Sequence, residues 1–271
     1  MEAAAGVPYV VRPPQHGPRA DAPVVVAYHL LDPPRTETAF AAAVPLDGLD
    51  AWKIYFGLPL SGARLPAGGM DELWRLVTED PVLKVHRQVT LGALAEFPDA
   101  YAVVRRNLDI DEDVPLGVMG GSMGGAVAQL VAAEGGISVR AAVLINPVVR
   151  FRTTIDALSA RFGRPYRWSP ESDAVAERVD FLRRAGELTG TAVRFVTGAD
   201  DMPDTILDPV GEVVAALQAH GGVADQQSVP GMAHALAEEP GMEAAPQTPH
   251  AARVDRLAVE WFRRHLETSE G

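Results

Sequence analysis

Apolar residues fall in short unbroken runs separated by longer stretches with helical spacing, and this alternation predicts most of the architecture. Val24-Val25-Val26-Ala27-Tyr28 is a continuous run, mostly β-branched, as expected of a strand covered on both faces. Further strands are predicted over 51–59, 116–119, 141–147 and 192–197, with a short one at 226–229 and an edge strand at 7–11. Helical spacing covers about 70–108, then 123–134, 209–220 and 250–266. Breaks are expected at Pro81 and Pro98, because proline lacks the N–H of the helical ladder and its ring clashes with the preceding turn. Strands alternating with helices imply βαβ units. The expected fold class is α/β, a mostly parallel central sheet with helices on both faces.

A chain of 271 residues suits one such domain spanning 1–271. Segment 148–188 interrupts the alternation and carries arginines at 150, 152, 161, 164, 167, 178, 183 and 184. It is expected to be a small helical cap inserted after the strand at 141–147, over the carboxyl ends of the strands, where ligands bind in such sheets. A pair of solvated surface helices is the plainer alternative.

Composition narrows the function. The net charge of −12, from 24 basic and 36 acidic residues, argues against nucleic acid or an anionic membrane as partner. There is no cysteine, so disulfides, thiolate metal sites and cysteine nucleophiles are excluded. The first eight residues show no basic region followed by an apolar core, and no stretch reaches the length of a membrane span. A cytoplasmic location is the expectation, with a homodimer as the candidate assembly.

The richest local signal is Gly-Gly-Ser-Met-Gly-Gly at 120–125, between an apolar run and a helix. A serine on a sharp strand-to-helix turn is held in a strained conformation that projects its hydroxyl, and the following helix offers free N–H groups to a developing anion. Neither a Lys-Ser/Thr phosphate loop nor a G-x-G-x-x-G dinucleotide turn fits the spacing. Ser122 is therefore the candidate nucleophile. The alternative is a buried serine that fills a gap at an ordinary junction.

A serine hydroxyl needs a general base, and the base needs an orienting acid. After the strand at 192–197 comes Gly198-Ala199-Asp200-Asp201-Met202-Pro203-Asp204. Asp201 is the first candidate acid, Asp200 the second and Asp204 the third, against the plainer role of aspartates as turn caps. Among the histidines, His220 ends a helix, His86, His250 and His265 have surface-helix contexts, and His16 lies in the N-terminal loop. His234 follows Val229-Pro230-Gly231-Met232-Ala233, a loop leaving the last strand, and is the candidate base.

Ser122, Asp201 and His234 in that order, each at a strand's carboxyl end, resemble the α/β-hydrolase family in its serine-esterase, dienelactone-hydrolase-like or prolyl-oligopeptidase-like branch. The glycine-framed serine resembles the family's nucleophile elbow, Gly-Ala-Asp-Asp its acid turn and Gly-Met-Ala-His its histidine loop. The resemblance covers about residues 23–266 and implies that Ser122 is the nucleophile, Asp201 the acid and His234 the base, with no cofactor and no metal. It also implies an oxyanion hole formed by the N–H of Met123 and that of Leu30 or Leu31. Here the chain departs from the pattern, since His29-Leu30 stands where many members carry His-Gly.

The implied activity is cleavage of a small ester or thioester through an acyl-enzyme. Peptidase or amidase action with the same residues, or a non-catalytic binding protein on the same scaffold, are the alternatives. Arg150, Phe151, Phe162 and Trp168 of the arginine-rich segment are the candidate substrate-binding residues, with Arg150, Arg161 and Arg164 suited to an anionic group.

Overall fold

A computed structural model describes residues 2–266; Met1 and residues 267–271, the ends of the expected domain, lie outside the described residues. Eight strands form one sheet: β1 (Glu2–Ala4), β2 (Val7–Arg12), β3 (Val24–Tyr28), β4 (Trp52–Phe56), β5 (Leu116–Gly121), β6 (Val139–Ile145), β7 (Ala192–Gly198) and β8 (Ala224–Val229). Their order across the sheet is β1-β2-β4-β3-β5-β6-β7-β8. The pairings of β2 with β1 and β4 are antiparallel, and every pairing from β4 to β8 is parallel.

The helices are α1 (Glu37–Ala43), α2 (Gly69–Glu79), α3 (Ala93–Asn107), α4 (Met123–Glu134), α5 (Phe151–Arg161), α6 (Pro170–Arg178), α7 (Asp208–Ala219) and α8 (Pro249–Leu266). Strand geometry sends successive side chains to opposite faces, and β3 divides accordingly. Val24, Val26 and Tyr28 join a core with Phe97 and Val104 of α3, Val127 of α4 and Val210 of α7. Val25 and Ala27 join a second core with Phe40 of α1 and Leu257, Trp261 and Phe262 of α8. Both faces are apolar because both are covered. The α/β class is as expected.

Several details differ from the sequence expectation. β1 and α1 were not foreseen; α1 is short and begins at a cap in which the Thr36 side chain accepts the Ala39 N–H at 3.1 Å. The predicted break at Pro81 occurs, with Asp80 capping the N–H groups of Val82 and Leu83. Two π-helical runs, Pro81–His86 and Gln88–Gly92, then lead into α3. No break occurs at Pro98. α3 continues through it because Phe97, Ala100, Tyr101 and Val104 are buried along one side and hold the helix despite the lost hydrogen bond.

Between β6 and β7 lie α5 and α6, which pack on each other, with α5 also against the turn at 203–207 and α6 against the run at 81–86. No helix among the described residues is long and apolar enough to cross a membrane.

Candidate active site

Three strand ends build the site. β5 ends in Gly121, and Ser122 follows with φ +50° and ψ −118°, a conformation that an L-residue adopts only under restraint. The restraint is visible. The Ser122 N–H donates to Ile145 O at 2.9 Å, and its carbonyl accepts from Gly125, Ala126 and Val148. A Cβ on Gly120 would collide with the carbonyl of Gly124, and one on Gly124 with the carbonyls of His29 and Tyr28. The glycine frame thus follows from the closeness of β3, β5 and α4 at this point.

The other two groups arrive from β7 and β8. His234 Nε2 lies 2.9 Å from Ser122 Oγ, and His234 Nδ1 lies 2.8 Å from Asp201 Oδ2. The Asp201 side chain is fully buried, and its second oxygen accepts the Met202 N–H at 2.7 Å. Asp201 accepts from Nδ1–H, so Nε2 is free to accept the serine proton. Asp200 is exposed, and Asp204 pairs with Arg161 at 2.7 Å. Of the three candidate acids, only Asp201 reaches the imidazole.

Burial of His234 opposes its charged form, but the hydrogen bond and charge of Asp201, with Asp32 adding to them, raise its pKa above the usual histidine value. Asp32 stands on the serine side of the ring, its Oδ2 3.7 Å from Nε2, and is 53 % exposed.

Two residues hold this arrangement: Asn146, which sequence reasoning missed, and His29, which it named only as part of the candidate oxyanion segment. Asn146, fully buried at the end of β6 with φ +42°, donates to the carbonyls of Ala233 and His234 at 3.0 and 3.1 Å and accepts the Gly198 N–H at 2.7 Å. It joins the acid turn to the histidine loop. His29, also fully buried, bonds the Leu30 carbonyl through Nδ1 at 2.6 Å and accepts the Leu58 N–H on Nε2 at 3.1 Å. Burial pushes its pKa down to about 4, against a raising contribution from the Leu30 bond, so it stays neutral with the proton on Nδ1. In sequence, Asn146 read only as a strand end before proline.

Among the described residues, no protein acceptor takes the N–H of Met123, Leu30 or Leu31. Leu30 is buried with its side chain against Gly121. The Leu31 carbonyl accepts from Arg35 Nη1 at 2.9 Å; Arg35 also binds Pro240 O and Glu239, tying this loop to the one after His234.

The candidate substrate-binding residues lie elsewhere. Phe151 is buried in the core, and Phe162 is 81 % exposed. Trp168 donates to Asp156 and lies under the Arg152 guanidinium. Arg150 pairs with Glu212. A cleft of about 210 Å³ is lined by Leu31, Arg35, side chains from 60–89 and Met242, and by none from 148–188. His86, expected on a surface helix, lines this cleft. Among the described residues, no group of three or more His, Asp or Glu side chains is arranged to hold a metal ion.

No protein-family model and no curated protein matches the sequence. Solved structures do match. TT1662 from Thermus thermophilus superposes with a TM-score of 0.69 at 20% identity, over 98% of this chain and 97% of that one. A candidate dienelactone hydrolase from Klebsiella pneumoniae gives 0.63 at 19% identity, over 96% and 93%. The acylaminoacyl peptidase of Pyrococcus horikoshii gives 0.62 at 16% identity, over 98% of this chain but only 40% of the longer peptidase. The chain has the α/β-hydrolase fold. Ser122 follows β5, Asp201 follows β7 and His234 follows β8, each beyond the carboxyl end of its strand.

Proposed function

We propose that the protein is a serine hydrolase that cleaves an ester-type bond through an acyl-enzyme on Ser122. The observation that carries this reading is the hydrogen-bonded chain from Asp201 through His234 to Ser122, at 2.8 and 2.9 Å, on a strained turn. A serine without catalytic use does not require φ +50° and an imidazole in line with it.

His234 Nε2 removes the Ser122 proton as Oγ attacks the carbonyl carbon. Asp201 holds the imidazole in the Nδ1–H form and stabilises the imidazolium. The oxyanion is met by the N–H of Met123 at the start of α4 and by that of Leu31. Leu31 is preferred over Leu30 on peptide geometry. A trans peptide sets its C=O and the next N–H in opposite directions. The His29 carbonyl faces Gly124, which turns the Leu30 N–H away from the elbow. The Leu30 carbonyl is fixed by His29 Nδ1, which fixes the Leu31 N–H in turn. His234 then protonates the leaving alkoxide, and water, activated by the same nitrogen, releases the acid and restores Ser122.

Arg150 and Arg161 are paired with Glu212 and Asp204, so an anionic leaving group finds little support in them. Amide cleavage is the second reading, favoured by the likeness to the acylaminoacyl peptidase fold. A panel of p-nitrophenyl esters beside aminoacyl p-nitroanilides tests both. Ester turnover that Ser122→Ala abolishes supports the first reading. Preferential anilide turnover moves the assignment to the second, and turnover retained by Ser122→Ala contradicts both.

A further inference from the structure

Helix α2 places Met70, Leu73, Trp74 and Val77 on one side at i, i+3, i+4 and i+7, the stripe of a helix that packs on a core. Yet no residue of α2 is buried: Met70 is 45 % and Trp74 62 % exposed. All four line the cleft instead. An apolar helix face turned to a cavity rather than a core is built for an apolar occupant.

Leu31, the candidate second oxyanion donor, also lines the cleft. That residue lies between Leu30, packed on the nucleophile strand, and Asp32, 3.7 Å from His234 Nε2. The cleft is thus the cavity that adjoins the candidate oxyanion loop.

Four lining residues bring polar side-chain groups: Arg35, Ser61, Trp74 through its indole N–H, and His86. The Arg35 guanidinium is engaged by Leu31, Pro240 and Glu239. His86 is different. Its Nδ1 is buried, with no hydrogen-bond partner, against the wall that includes Phe151. His86 lines the cleft, and its Nε2, unlike Nδ1, is not cut off from solvent. Orphaned buried N–H groups are rarer than under-used acceptors, so the proton belongs on Nε2, where it is offered to the cleft.

Resting on the hydrolase reading, we propose that this cleft is the acyl site and that its ligand is an apolar chain of several carbons bearing one hydrogen-bond acceptor, met by His86 Nε2–H. No free cation lines the cleft among the described residues, so the acceptor is neutral: a ketone, ether or second ester carbonyl. The His86 pKa, pushed down to about 4 by burial, agrees with a neutral donor.

The test uses p-nitrophenyl acetate, butyrate, hexanoate and 5-oxohexanoate with the full chain. Expected is a rise in kcat/KM of at least about tenfold from acetate to hexanoate, from the added buried methylenes. The 5-oxo ester should be favoured over hexanoate by about fivefold, the worth of one hydrogen bond. His86→Leu should bring that ratio to about one, while His86→Gln, which keeps an N–H, retains part of it. No dependence on chain length, or a ratio unchanged in His86→Leu, would overturn the proposal.

If no ester is turned over, the hydrolase reading fails separately and binding decides the cleft. In Ser122→Ala, methyl 5-oxohexanoate should then give a saturable fluorescence change that Trp74→Phe removes. Absence of that change would overturn the acyl site as well.

Discussion

Asn146 donates its side-chain N–H to the carbonyl oxygen of His234 at 3.1 Å, while its own oxygen accepts the N–H of Gly198 beside the acid turn. One buried amide therefore sets the distance between the strand that delivers Asp201 and the loop that delivers His234. Asn146→Ala leaves one donor and two acceptors without partners and frees the histidine loop. Expected is a loss in kcat of about 10–100-fold with KM within about twofold, since misplacement by about an ångström costs that much. Steady-state kinetics on one ester checks it, with circular dichroism to establish that the variant is folded.

Asp201 and Asp200 are neighbours in sequence, but only the first is buried against the imidazole. Asp201→Asn should lower kcat by about 10³–10⁴-fold, because the imidazole then loses its orienting carboxylate and the required tautomer. Asp200→Asn should stay within about threefold. The two variants assayed side by side at neutral pH give the comparison.

His234 must be neutral to accept the serine proton, so kcat/KM should rise with pH through its raised pKa. Asp32 contributes to that rise in pKa from the far side of the ring. Asp32→Asn removes a negative charge that favours the imidazolium, so the acidic limb of the pH–rate profile should move to lower pH. A limb that moves up, or stays fixed, contradicts the role given to Asp32.

His29 fixes the Leu30 carbonyl and with it the peptide that carries the Leu31 N–H. His29→Ala should lower kcat by about 10–100-fold, approaching the roughly 3 kcal/mol that one oxyanion donor supplies. The same buried histidine bears on stability. Its folded pKa, about 4, lies below the unfolded value, so between the two the unfolded chain binds more protons. Stability from this group is complete above about pH 6.5 and declines as pH falls toward 4. Asp255 acts in the opposite sense, with a pKa raised by burial to about 6. Asp255→Asn should thus make the acid loss steeper in denaturation midpoints measured from pH 7 to 4.

The sheet was legible because β3, β5, β6 and β7 are covered on both faces and read as apolar runs, interrupted only by Arg140 near the start of β6 and Arg194 within β7. Ser122 and Asp201 were legible because each follows such a run, whereas His234 follows the polar strand β8 and stood out only by its place on the loop leaving the last strand. The walls of the cleft were not. Residues 148–188 drew attention by their arginines, yet Arg150, Arg152, Arg161 and Arg178 pair with carboxylates and cover the surface. The cleft is lined instead by α2, which sequence merged into one helical region, because its apolar stripe looks the same whether it meets a core or a cavity. Asn146 escaped notice, and His29 was noted only for the Leu30 that follows it, for another reason. The hydrogen bonds that give Asn146 its meaning reach 52 to 88 residues along the chain, and the His29 bond to Leu58 spans 29.

The central claim is that Ser122 Oγ is a nucleophile activated by His234. Intact-mass measurement after treatment with a fluorophosphonate tests it most directly. The account predicts one adduct per chain, mapped to Ser122 by peptide sequencing, absent from Ser122→Ala and strongly slowed in His234→Ala. A folded wild-type protein that takes up no label, or a Ser122→Ala variant labelled as fast as the wild type, would contradict it.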